Sequence, residues 1–429
     1  MQNISIGLKS FISRNKLLIS GKYLFLLGLV FLPSALPISI FFLFLALLIS
    51  IITNYKEFHL DKLNILLIMI SGLMIFSNFR DLFTTQDYFI TKDHLSTWVD
   101  LFNWIPLFFC FWGFQSYLKT DKEKKLAANT LLISTLPVVA SCIAQMWLGW
   151  YGPFSILNGL IIWFQREPAY SSVTGLFNNP NYAGLWLASM WPLVVFNLSQ
   201  RKKNIFLIIY LFLITYFLIL TNSRNALFGL IVSIPLVFGI KSFAILVLFF
   251  IISLVIFLNL NNIFGLDVEI YQNFIPYRLI QKITDFNFLS NNNAIRLDIF
   301  RRAINFIKLR PILGWGASLF PIMYLSSGGY RDIQHTHNIN LEIAFNYGLP
   351  VSLLLTYLIS IIIIKSFKLI FLGKEFNTNI NKSWFSSTFV VIIYNLTDVT
   401  YYDGKFSLLS WIFLGGLKCI IDSSKKHGN

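Results

Sequence analysis

Apolar runs of near-membrane length, separated by short polar or charged stretches, recur along most of this chain. A helix needs about 20 apolar residues to cross roughly 30 Å of hydrocarbon. Bounding the runs at charges or at Pro and Gly predicts about twelve spans, near 22–34, 36–53, 62–77, 100–118, 127–148, 181–198, 204–221, 225–239, 243–260, 339–364, 383–397 and 405–421. The pattern predicts an all-α, polytopic transmembrane helical bundle. Residues 1–260 hold about nine spans, 261–338 form one long loop with short amphipathic helices, and 339–429 hold about three. The first apolar run, Tyr23 to Leu32, has no small-x-small exit and leads straight into further runs, so it reads as a span and not as a cleavable signal.

Composition agrees with this pattern and excludes other classes. The 429 residues are 56% apolar and 12% charged, against roughly 45–50% and 25% in soluble domains. Aromatics at 17% exclude a solvated disordered coil. Cys110, Cys142 and Cys419 stand singly in apolar runs, with neither pairing nor metal-ligand spacing.

The scarce charge is distributed by side. Assigning alternate loops to the two faces puts 19 Lys on one face and 4 on the other, which by the positive-inside bias places both termini in the cytoplasm. Arginine runs the other way. Only Arg14 and Arg201 fall inside, whereas Arg80, Arg166, Arg224, Arg278, Arg296, Arg301, Arg302, Arg310 and Arg331 fall outside. A guanidinium grips phosphate as a planar fork, so an outward array of Arg points to a phosphate-bearing ligand. The alternatives are lipid headgroups, or pairing with Asp81, Glu167, Asp298 and Asp332.

Within the long loop, residues 294–309 read as an amphipathic helix. Ile299, Phe300, Ala303, Ile304 and Ile307 form its apolar stripe, Asn293 is placed to cap its start, and the Arg310-Pro311 step ends it. A helix of this kind is expected to lie in the membrane interface, either as a spacer or gripping substrate.

No phosphate-cradling Gly-rich motif occurs. Asp267 and Glu269, the nearest outer carboxylate pair, lack a partner cluster, and His335 with His337 lacks an adjacent carboxylate set, so no cofactor or metal is expected. His337 and Asn338 stand where the chain enters a span. The positive end of a helix favours a neutral imidazole able to accept a proton, and a general base is sensible there. The competing reading is a capping pair. Arg224, at the outer end of a span, is costly unless it is functional or snorkels. With Arg296, Arg301 and Arg302 it would neutralise a diphosphate leaving group.

These residues carry a resemblance. GLFNNPN at 175–181, Ser223-Arg224, Arg296, PILGWG at 311–316, HTHN at 335–338 and NYG at 346–348 occur in the order seen in the O-antigen ligase and O-antigen polymerase superfamily, which the chain resembles. The resemblance implies a membrane glycosyltransferase that moves or polymerises a glycan from an undecaprenyl-diphosphate carrier at the periplasmic face, in lipopolysaccharide or other cell-envelope polysaccharide biosynthesis. It implies a lipid-linked donor, a glycan or lipid acceptor and membrane lipids as partners, with no metal and no nucleic acid. It makes His337 the catalytic His and sets Arg224 and Arg296 on the diphosphate, with Asn181, His335 and Asn338 in support. Arg301 and Arg302 join the diphosphate set by charge and location alone. Two other functions stay open, a transporter of a small anion such as bicarbonate and a flippase for the same lipid-linked glycan. Transporters of the first kind place polar groups in broken helices at mid-membrane, whereas the spans here read as uninterrupted.

Overall fold

A computed structural model describes residues 2–83, 94–167, 172–201, 204–245, 247–248, 252 and 286–427. Asp267, Glu269, Arg278 and two thirds of the span expected at 243–260 lie outside them. The helices are α1 Gln2–Phe31, α2 Leu36–Asn54, α3 Lys62–Phe83, α4 His94–Asp100, α5 Ile105–Gly113, α6 Asp121–Trp147, α7 Pro180–Gln200, α8 Ile205–Leu220, α9 Arg224–Phe238, α10 Phe286–Leu309, α11 Phe320–Ser326, α12 Ile339–Tyr347, α13 Leu349–Phe367, α14 Asn379–Asn395 and α15 Gly404–His427. Between α6 and α7 lies a small antiparallel hairpin, β1 Phe154–Ile156 and β2 Ile161–Trp163. It departs from the all-α expectation. Its turn at Leu157, Asn158 and Gly159 has positive φ throughout, the conformation that an Asn-Gly step favours.

Among the described residues six helical segments are long and apolar enough to cross a membrane: Leu36–Leu60, Lys62–Phe79, Asp121–Trp147, Pro180–Gln200, Leu349–Leu372 and Gly404–Lys425. Other expected spans take a different form. The run at 100–118 is divided, because Pro106 restarts the helix as α5 after a 3-10 turn at 101–103. The apolar helices α8 and α9 are shorter, at 16 and 15 residues. The run at 339–364 is two helices, α12 and α13, broken at Gly348.

That break has a tertiary cause. The PILGWG segment lies against it as backbone on backbone: Trp315 N–H donates to the Phe345 carbonyl at 2.7 Å, Gly316 N–H to Asn346 at 2.9 Å, and Leu349 N–H to Pro311 at 2.7 Å. Gly348 has φ +93°, and a Cβ there would lie 2.0 Å from the Ile312 carbonyl oxygen. Ser77 of α3 donates its hydroxyl to the Leu313 carbonyl and ties the same loop to the bundle. Gly348→Ala should therefore cost about 1–3 kcal/mol from backbone strain alone, more with the clash, and show as a lowered unfolding temperature in detergent. An unchanged transition would contradict this packing.

The main core runs through the bundle, where α7 packs on α6, α8, α9 and α14, and α15 packs on α5, α13 and α14. A second core lies around α10. Ile299, Ala303 and Ile307 of the expected apolar stripe are buried against Trp315, Phe320, Tyr324 and Phe345, so that stripe packs on protein and not on the membrane interface, and Ile304 is 42% exposed. The helix starts at Phe286, so Asn293 lies inside it and does not cap it. Its end at Leu309, before Pro311, is as expected.

Candidate active site

Four helix ends and one turn meet at one end of the bundle, and the three helix starts among them are each capped by a short polar side chain. Asn179 caps α7 through Asn181 N–H at 2.8 Å. Ser223 caps α9, and its hydroxyl lies 3.2 Å from the Tyr394 hydroxyl near the end of α14. Asn338 caps α12, accepting from Asn340 and Leu341 N–H, while its amide donates to the Leu396 carbonyl at 2.9 Å. Such caps are worth about 1 kcal/mol each. Here they also fix side-chain direction. Gly184 lets α7 approach the start of α9 closely, since a Cβ there would lie 2.8 Å from that of Ala226.

The centre of this end is Asp398, in the turn between α14 and α15. Its Oδ1 is 2.9 Å from Nδ1 of His337, and its Oδ2 accepts from the Asn181 amide at 3.2 Å. His335 Nε2 stands 4.0 Å from Oδ1, too far for a hydrogen bond. Burial alone would raise the Asp398 carboxyl. The hydrogen bond from His337, the charges that His337 and His335 carry when protonated, and the charge of Arg296 outweigh it and hold the group below the usual carboxylate range. An ionised Asp398 accepts from Nδ1–H, which leaves the Nε2 lone pair of neutral His337 to take a proton. Among the described residues nothing hydrogen-bonds that Nε2. His337 itself has φ +54°, a left-handed turn uncommon outside glycine, and its N–H donates to Nδ1 of His335 at 3.2 Å.

His335 is pushed down to about 4 by burial first and then by the His337 charge, against the pull of Asp398. It is therefore neutral at physiological pH. Because its folded value lies below the ordinary 6.5, the unfolded chain binds more protons between these limits, and stability present above 6.5 is lost as pH falls toward 4. The unfolding temperature should drop across that window, and His335→Asn should flatten the slope. An equal slope in that variant would contradict the assignment.

Arg224 opens α9 and Arg296 lies on the half-buried face of α10. The charge of Arg296 acts on Arg224, Asp398 and Tyr394, so Arg296 stands within electrostatic reach of Asp398, and Arg224 within reach of Arg296. Two like charges so placed are relieved by an anionic ligand. Arg302 is engaged elsewhere. Its Nε bonds Asp298 at 2.8 Å, its Nη1 meets the Ser327 hydroxyl at 3.0 Å, and Tyr324 donates to the same Asp298 at 2.9 Å. Arg301 points to solvent on the same helix. The structure thus gathers Asn181, Arg224, Arg296, His335, His337 and Asn338, and leaves Arg301 and Arg302 outside the cluster.

Sequence reasoning missed Asp398 and Tyr394. A usable signal was present, because Asp398 is an acidic residue at the outer end of an apolar run, the cost argument already applied to Arg224. The fold also supplies the carboxylate that the His335–His337 pair lacks in sequence. The nearest ligand atoms of His335, His337 and Asp398 lie within 4.8 Å of one another, the donor set of a divalent transition metal. A metal seated there would replace the His337–Asp398 hydrogen bond.

Residues 209–356 match the sequence model of the family described as O-antigen ligase. Over that stretch the chain is similar to O-antigen ligases. The matched stretch is about a third of the chain, and the six long apolar helices agree with a multi-pass membrane protein. The matched stretch includes Arg224, Arg296, His335, His337 and Asn338 of the cluster, and stops short of Asn181 and Asp398. No curated protein matches the chain as a relative.

Proposed function

We propose that the chain transfers or polymerises a glycan from an undecaprenyl-diphosphate carrier onto an acceptor hydroxyl at the periplasmic face of the inner membrane. The observation that carries this reading is the hydrogen bond between His337 Nδ1 and Asp398 Oδ1 beside Arg224 and Arg296. In the proposed step the acceptor hydroxyl gives its proton to His337 Nε2 as its oxygen attacks the anomeric carbon of the donor sugar. The bond from that carbon to the diphosphate oxygen breaks. Arg224 and Arg296 take up the diphosphate charge, and Asp398 supports the imidazolium. Asn181 holds Asp398, and Asn338 holds the turn that presents His337. Arg302 acts as a strut between α10 and the end of α11.

The test is purified protein with a defined polyprenyl-diphosphate glycan and candidate acceptors. Transfer that persists in a chelator supports the general-base reading. A ladder of products indicates a polymerase and a single product a ligase. The cluster of His335, His337 and Asp398 also supports a second reading, in which a bound metal activates the acceptor. Activity abolished by chelation and restored by Zn²⁺ or Mn²⁺ would favour it.

A further inference from the structure

A half-open groove of about 1030 Å³ lies at the end of the bundle opposite His337. Helix α15 begins beside Asp398 and carries Lys418 and Asp422 in its later turns, roughly 21–27 Å further along at 1.5 Å per residue. The start of α3, the end of α13 and the end of α15 together form the walls. The charge of the mouth is already sorted. Lys418, 2% exposed, bonds to both Asp61 and Asp422, and Glu57 meets Arg14 at 3.4 Å. That leaves Lys62, Lys119 and Lys365, all exposed at the groove, with no carboxylate partner among the described residues.

Behind the lysines the walls turn apolar. Along α3 the lining runs from Lys62 to Met69, about 10 Å, and along α13 from Lys365 back to Tyr357, about 12 Å. Met69 and Tyr357 are 54% and 58% exposed, so the described residues leave this apolar wall open. Cationic groups at the mouth followed by an apolar trough match the order of a phospholipid, a phosphate first and an acyl chain behind it. We propose that this groove binds an anionic phospholipid of the bilayer, with the phosphate among Lys62, Lys119 and Lys365 and one acyl chain along Met69, Ile361 and Tyr357. With the glycan site on the outer face, this lipid would come from the inner leaflet.

Native mass spectrometry of the full chain in detergent tests it, with phosphatidylglycerol and phosphatidylcholine of matched chains as probes. Phosphatidylglycerol should be retained at least about tenfold more tightly. Replacing the three exposed lysines together (Lys62→Ala, Lys119→Ala, Lys365→Ala) should reduce it to the phosphatidylcholine level. Ile361→Trp, which narrows the trough and keeps every lysine, should weaken retention as well. The control pair Lys56→Ala, Lys374→Ala, exposed but off the groove, should change nothing. Undiminished binding in the triple variant, equal loss in the control pair, or full displacement by millimolar inorganic phosphate would overturn the proposal.

Discussion

Asp398→Asn is expected to lower glycan transfer by about 10²–10⁴-fold with the protein still folded and in the membrane. The reason lies in the two partners of the carboxylate. Asn181 donates to one oxygen and His337 Nδ1 faces the other. An asparagine amide keeps its oxygen toward the Asn181 donor and so turns its NH₂ toward His337. The ring must then accept at Nδ1 and carry its proton on Nε2, the tautomer that cannot act as a base. Loss of the negative charge adds to this by removing support for the imidazolium. Adding Asn181→Ala frees the amide to turn back and should recover part of the loss. A rate unchanged in Asp398→Asn would show that His337 works without this partner.

Arg224→Ala and Arg296→Ala should each cost about 10²–10³-fold in turnover, the scale seen when a fixed donor to a developing charge is removed. Lysine at either position should recover only part, because an ammonium supplies the charge without the two-pronged grip. Arg302→Ala provides the contrast. Its guanidinium links Asp298 on α10 to Ser327, so its loss should lower the unfolding temperature while turnover per folded molecule stays near normal. Turnover that falls with Arg302 and not with Arg296 would reverse the assignment and return the diphosphate site to the exposed side of α10.

These contrasts show what the linear sequence can express. Caps and stops are local, so Asn338 at the start of α12 and the stop of α10 before Pro311 were legible, whereas the start of α10 was misplaced at Asn293. The Asp298–Arg302 pair is also local, one turn apart, and spacing alone allowed it. The break at Gly348 was read through, although Gly348 and Pro350 are themselves break signals. The residues on either side are apolar, and the break is imposed by the carbonyls of a segment more than thirty positions earlier. Asp398 was hidden for a related reason. It stands 61 residues from His337, in a turn with no motif of its own, and only the packing of α14 against α7 and α9 brings it to the ring.

The central claim is that His337, turned by Asp398, takes the proton of an acceptor hydroxyl. It is tested most directly by comparing the parent chain with His337→Ala in a purified, chelator-treated assay containing a polyprenyl-diphosphate glycan and its acceptor, read as released polyprenyl diphosphate and elongated acceptor. The account predicts robust transfer by the parent, and a variant that still binds the lipid-linked donor but forms product at least about 10²-fold more slowly. Parent-level product from His337→Ala, with donor binding intact, would contradict it.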